Sequence, residues 1–426
     1  MRAEQEVRLT RLGQNSKMVD VLRDIIARNR AGQAVAIPSV CSAHPDVLRA
    51  SLNLAKRLGQ PIVIEATSNQ VNQDGGYMGM LPQEYIAYVH RLADQVGTDR
   101  AAILFGGDHL GTQAWRTLPA QQAMEKAKVL VSDYVAAGFS KVHLDCSEGC
   151  SGEDPQLPDE VTAERSAVLA QACARQSDEL MFVVGTEVPP PGGARLDEDG
   201  DILPTLPDAA YATLMAHDAT FGDLAGNIGG LVVQPGVEFS PTAVHHMPLD
   251  RDPKIVSALA DRPTVCLEAH STDYQDDAVF PRLAELGFAF QKVGPALTFA
   301  YREALYALDQ IRPDRGQLEA AMELEMLRQP KHWQGHYTGN EDQLKVQRHT
   351  GLADRIRYYW PSHAAKEAVT ALMEDCQAGF SDTQLSEVFH YRTIERAERL
   401  DGSQAQRLID AKIELALQPY FFLEAS

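Results

Sequence analysis

Residues 101–111 read AAILFGGDHLG. The apolar run Ala101–Phe105 leads straight into an Asp108-His109 pair fenced by Gly106, Gly107 and Gly111. This is the pattern of a buried strand that stops in polar, turn-forming residues. It recurs along the chain. Short apolar runs occur at Ala34–Ile37, Ile62–Ile64, Ala102–Phe105, Lys141–Leu144, Met181–Val184, Gly230–Val233, Thr264–Leu267 and Phe288–Gln291. Each ends in polar or glycine-rich residues. Amphipathic segments such as Asp46–Leu58 and Ala120–Ala137 lie between them and are long enough for crossover helices. Strands joined by helical crossovers run parallel, and eight of them can close on themselves. The pattern therefore predicts an α/β fold, a (β/α)8 barrel, with an open doubly wound sheet as the alternative. Beyond residue 300 the segments Gln317–Leu327, Ala364–Asp375 and Gln404–Leu417 read as helices without strands between them. A barrel over residues 17–305 and a helical extension over 306–426 are expected.

The chain has 426 residues, 44% of them hydrophobic and 23% charged, enough apolar material for a large core. Its net charge of -20 argues against nucleic acid and anionic membranes as partners, because both need a basic face. The six cysteines lack a zinc-type pair of CxxC units, and the lone CxxxC at Cys146 and Cys150 reads as buried free thiols. Charge begins at Arg2 and no long apolar run follows, so a cytoplasmic protein is expected. The loop Pro189–Pro204 reads as a surface excursion or as a lid.

In a barrel, the C-terminal strand ends meet around one mouth. His109, Glu187 and His270 follow strands three, five and seven, and their side chains can converge there. This N/O donor set suits Zn²⁺ or Mn²⁺ with positions open for substrate. Asp108 and Glu268 are the candidate proton-transfer groups, and Asn69, Gln70 and Gln234 the candidate substrate contacts. Ser271, Thr272, Asp273, Lys292 and Gly294 lie where barrel loops grip phosphate. The bland readings stand beside these: Thr272, Asp273 or Asp145 as helix caps, Gly294 as a simple turn, His44 and His143 as hydrogen-bonded core groups. No GxxxxGK[ST] and no GxGxxG behind a strand is present, which argues against a kinase.

The segments SVCSAHP (39–45), EATSNQVNQDGGYMGM (65–80), GGDHLG (106–111), GTEVPPPGG (185–193), VVQPGVEF (232–239), EAHSTDYQ (268–275), KVGPALTFA (292–300) and RIRYYWP (355–361) closely resemble the family of the Z-type subunit of class II D-tagatose-1,6-bisphosphate aldolase. The resemblance implies a barrel related to class II aldolases, with Asp108 moving a proton and His109 binding a divalent metal ion. It implies a phosphorylated ketose as substrate and a place in galactitol or tagatose breakdown. D-Tagatose 6-phosphate 4-epimerase is the activity expected first. The alternatives are the aldolase itself and a non-catalytic subunit that stabilises a separate aldolase partner; a homo-oligomer is also among the expected assemblies. VVQPG departs from the class II pattern by placing Gln234 where a histidine ligand is expected, and Thr112 stands where a proline is expected.

Overall fold

The computed structural model describes residues 17–186 and 202–422. A helix over residues 17–30 (α1) precedes β1 (Ile37–Val40), α2 (Pro45–Leu58), β2 (Ile62–Thr67), α3 (Pro82–Val96), β3 (Ile103–Gly111), α4 (Ala120–Ala137), β4 (Lys141–Asp145), α5 (Asp159–Ala174), β5 (Met181–Val184), α6 (Pro207–Phe221) and β6 (Ile228–Val232). A small ribbon, β7 (Glu238–Phe239) with β8 (Val244–His245), comes before β9 (Cys266–Ala269), α7 (Val279–Glu285), β10 (Phe288–Val293) and α8 (Pro295–Ile311). Eight parallel strands close in the order β1-β10-β9-β6-β5-β4-β3-β2. The closed (β/α)8 barrel is thus the fold, and the open sheet is excluded.

Strand one is displaced from its expected place. The apolar run Ala34–Ile37 supplies only its first residue, because Asn29 donates to the Val35 carbonyl at 3.0 Å and to the Ala284 carbonyl at 2.8 Å. These bonds hold residues 33–35 as a connector, and pairing with β10 begins at Ile37 opposite Phe290.

Side chains alternate across each strand, and this parity sorts the interior. Ile62, Ile64, Ile103, Phe105, Phe182 and Val184 face outward into the helix-covered core. Val63, Leu104, Val183, Cys266 and Phe290 face inward and pack with Met18, Val19, Leu22 and Ile26 of α1, which closes the N-terminal end of the barrel. Two residues further along the same strands the inward side chains become Glu65, Glu268 and Lys292, joined by Lys141 from β4. Two further still stand Asp108, His143 and His270. The barrel is thus filled by an apolar layer, then an ionic layer, then a layer of imidazoles at the mouth.

The chain continues through α9 (Gln317–Arg328), α10 (Glu341–Thr350), α11 (His363–Asp375), α12 (Asp382–Val388), α13 (Tyr391–Ala397) and α14 (Gln404–Leu417). Here α14 is clamped to α2 by Arg49–Asp410 at 2.5 Å and by the Arg57–Glu414 pair. Residues 351–361 are tied over the mouth. Tyr274 donates to the Leu352 carbonyl at 2.6 Å, and Asp354 accepts from Thr298 at 2.6 Å and Arg302 at 3.0 Å on α8. Among the described residues, no helix is long and apolar enough to cross a membrane.

Candidate active site

The GGDHLG segment forms the end of β3 together with a bulge. Gly107 pairs with Val142, whereas Leu110 pairs with Leu144, so β3 carries one extra residue between these points. His109 absorbs the bulge with φ 48, a conformation uncommon for a residue with a side chain. Neighbouring strand residues normally face opposite ways; the bulge lets Asp108 and His109 both line the mouth. Two glycines make this close approach feasible. A Cβ on Gly106 would lie 2.7 Å from Glu65 Oε1, and one on Gly111 would lie 1.7 Å from the Asp145 carbonyl oxygen.

Three imidazoles meet here. The ring centroids are 4.9 Å apart for His109 and His143, and 5.2 Å for each of the other two pairs with His270. Donor atoms of Asp108, His143 and His270 lie within 4.8 Å of one another. His109 Nδ1 is 2.8 Å from Asp145 Oδ2, the kind of pairing that fixes a ligating ring. The Nδ1 of His143 is 3.2 Å from the His109 backbone nitrogen and 3.1 Å from Asp108 Oδ1. Among the described residues its Nε2 is buried without a hydrogen-bond partner, an orphan that normally calls for an explanation. The donor set and this orphan fit a divalent cation.

Beneath the imidazoles lies the ionic layer. Lys141 Nζ is 2.7 Å from Glu65 and 2.6 Å from Glu268, and all three side chains are fully buried. Lys292 reaches Glu65 at 2.8 Å and Glu268 at 3.4 Å, and it pairs with Asp108. Burial by itself would raise the Asp108 carboxyl; His109 and Lys292 more than offset it and hold the group well below its usual range. Burial lowers His143, and lowers His270 to about 3, so both rings stay neutral, the form that binds metals. His109 is raised in spite of burial, by Asp108 and Asp145 on either side.

A cavity of about 570 Å³ opens above these groups, lined by Asp108, His109 and His270 together with the expected contacts Asn69, Gln70, Ser271, Asp273, Lys292 and Gly294. Several expected roles do not fit the contacts. Glu268 is not on the cavity wall but deep in the ionic layer, bound to Lys141 and 2.9 Å from His270 Nε2. The ammonium of Lys292 is committed to three carboxylates and is no free phosphate grip. Thr272 is fully buried and donates to the Lys292 carbonyl at 2.6 Å. Asp273 caps α8, accepting from the amides of Gly294 at 3.0 Å and Ala296 at 2.8 Å, and so fills the helix terminus that a phosphate would need. Gln234 folds onto its own turn, accepting from Gly236 at 2.8 Å and Val237 at 3.1 Å. Glu187 lies outside the described residues, as does the expected lid segment up to residue 201.

Reasoning from sequence took His143 as a core group and singled out neither Lys141 nor the arginines of RIRYYWP. The first two were detectable: with Val142 and Leu144 apolar, the parity of β4 already turns residues 141, 143 and 145 inward. Arg355 and Arg357 line the cavity from a segment that no strand pattern could place. All six cysteines are free thiols, as expected.

A family model described as D-tagatose-1,6-bisphosphate aldolase subunit GatZ/KbaZ-like matches residues 22–424. A protein of Agrobacterium fabrum (strain C58 / ATCC 33970) named D-tagatose 6-phosphate 4-epimerase is 42% identical over 371 residues, covering 83% of this chain and 87% of that protein. The crystal structure of a probable tagatose 6 phosphate kinase from Sinorhizobium meliloti 1021 matches with a TM-score of 0.82 at 40% identity, over 91% of this chain and 99% of that one.

Proposed function

The chain belongs to the D-tagatose-1,6-bisphosphate aldolase subunit GatZ/KbaZ-like family, and from that premise we propose that it is a metal-dependent 4-epimerase interconverting D-tagatose 6-phosphate and D-fructose 6-phosphate. One observation carries the reading: an ionised carboxylate and two imidazoles, Asp108, His109 and His270, share one cavity of a single chain, with the buried His143 ring packed against both imidazoles. A purely stabilising subunit needs an interface, not such a set. The name of the Agrobacterium relative supports the same reaction.

The ketose carries its C4 hydroxyl β to the C2 carbonyl. Asp108 takes the C4 hydroxyl proton, the C3–C4 bond breaks, and its electron pair moves into an enediolate over C1 to C3, leaving D-glyceraldehyde 3-phosphate. Turning the aldehyde and re-forming the bond from its other face inverts C4, and Asp108 returns the proton. His143 and His270, whose donor atoms cluster, and the neighbouring His109 ring would hold the divalent cation, Zn²⁺ or Mn²⁺ by donor type, which would supply Lewis-acid stabilisation of the enediolate oxygens. Asp145 orients His109, and Lys292 keeps Asp108 ionised. The kinase label of the Sinorhizobium relative does not carry over, because the sequence has no Walker-type phosphate loop. We further propose the division into a barrel over 17–305 and an extension over 306–426, with α8 spanning the junction and residues 355–360 completing the mouth.

The test is NMR of the purified chain with D-tagatose 6-phosphate and metal. D-Fructose 6-phosphate is expected, without deuterium at C4 in heavy water, because retro-aldol cleavage never breaks the C4–H bond. Deuterium at C4 would overturn the mechanism. Net release of triose would make the chain an aldolase, and activity only with an added aldolase subunit would make it an accessory.

A further inference from the structure

We propose that Arg355 and Arg357 of the C-terminal extension form the anion-binding anchor of the cavity, taking a phosphoryl group of the ligand between their guanidinium forks. Only the identity of the ligand rests on the sugar-phosphate reading above; the site itself stands on geometry.

Both arginines line the cavity that holds Asp108, His109 and His270. Elsewhere in this acidic chain buried arginines are matched with carboxylates: Arg302 with Asp354 at 3.0 Å, Arg312 with Asp309 at 2.9 Å, Arg348 with Glu323 at 2.6 Å. Among the described residues, Arg355 and Arg357 have no such ion pair. Their nitrogens donate instead to neutral acceptors. Arg355 Nε bonds the His332 carbonyl, and Arg357 bonds the Ala353 carbonyl, the Asp354 carbonyl at 3.0 Å and the Tyr358 hydroxyl at 3.1 Å. These bonds orient the guanidiniums without neutralising them. The nearest acid in sequence, Asp354, already serves Thr298 and Arg302.

The pair is also held rigid. Both guanidinium carbons lie near the Tyr358 ring, at 5.0 Å for Arg355 and 4.5 Å for Arg357, and that ring is packed edge-on to Tyr77 at 5.1 Å. The local field is positive: burial, then Arg355 and Arg357, lower His336 to about 4, and the two arginines outweigh burial to bring the Tyr358 phenol below its usual range. Preorganised arginine forks match the geometry of a phosphate dianion and can bond it bidentately. The rival site at the loops after β9 and β10 is closed, since Asp273 occupies the α8 amides and Lys292 is paired.

The first test uses the wild-type full chain. Arginine modification by phenylglyoxal, mapped by peptide mass spectrometry, should be saturably blocked by inorganic phosphate at Arg355 and Arg357 and unaffected at the remote Arg28. Lack of protection at both residues would overturn the proposal, whether or not any variant folds. Calorimetric titration with inorganic phosphate should then show Arg357→Gln, at unchanged melting temperature, binding about 10- to 100-fold more weakly, and Arg357→Lys in between. Binding within threefold of wild type in folded Arg357→Gln would also overturn it. Neither readout involves turnover: protection without epimerisation would keep the anchor and remove the reaction, and epimerisation without protection would do the reverse.

Discussion

Replacing Lys141 by Met tests whether the ionic layer holds the barrel's charges in balance. The ammonium bridges Glu65 and Glu268 at 2.7 and 2.6 Å, with all three side chains shielded from water. Together with Asp108 and Lys292 they make three carboxylates against two ammoniums. After Lys141→Met only Lys292 remains, already shared among all three acids. Removing one partner of a buried ion pair costs about 3–5 kcal/mol, because the other charge is left buried without compensation. The unfolding entropy scales to about 0.9 kcal/mol/K for a chain of 426 residues. The melting temperature should therefore fall by about 3–6 °C. The variant Glu65→Gln/Lys141→Met/Glu268→Gln removes the stranded charges and leaves Lys292 paired with Asp108, so it should recover most of the loss. Calorimetric melts of the three proteins at pH 7 decide the matter. A Lys141→Met melt within about 1 °C of wild type, or a triple variant no better than the single one, would refute the reasoning.

Asp108→Asn should lower kcat by about 10²- to 10⁴-fold, the usual range for a general acid–base group; turnover measured beside metal content distinguishes a lost proton carrier from a lost ligand. His143→Ala should weaken metal binding at least about tenfold, and full metal occupancy under competition with a chelator would remove His143 from the ligand set. Asp273 is predicted to make stability fall with rising pH. Burial, opposed by the two α8 amides, raises its carboxyl from 3.8 to about 6. Between those values the native state holds a proton that the unfolded chain has released, so stability declines through that window as pH rises. The shift corresponds to about 3 kcal/mol. Asp273→Asn should therefore gain relative to wild type between pH 4 and pH 7, and an unchanged melting difference across that range would contradict the assignment.

How much of this was legible in the sequence depends on which physical rule fixes each feature. The barrel was legible because strand and helix periods are local, and β5 (Met181–Val184) and α4 (Ala120–Ala137) fall on the residues that the pattern gives. Strand one slipped because an Asn29 side chain, remote in sequence from Ala284, decides where pairing begins. Of the expected convergence of His109, Glu187 and His270, Glu187 lies outside the described residues, and the meeting of His109 and His270 at one cavity followed from their position at strand ends. Depth along the strand did not: one step of inward parity is about 6–7 Å. That step along the backbone separates Glu268, sealed among ammoniums, from His270 at the cavity wall, although their side chains touch at 2.9 Å. Reading every polar strand-end residue as a mouth residue erases this distinction: Glu268 is sealed in the ionic layer, whereas Lys292 reaches the cavity wall with its ammonium paired to carboxylates. His143, expected as a hydrogen-bonded core group, is fully buried beside the His109 amide and Asp108, and Lys141 and Asp145 flank it at the same parity. The arginines of RIRYYWP were the least legible. Their place depends on contacts such as Tyr274 with Leu352 and Thr298 with Asp354, which join segments more than fifty residues apart. A helical tail read from periodicity carries no information about which end of a barrel it covers; here it covers the end where, among the described residues, two guanidiniums are left without a carboxylate.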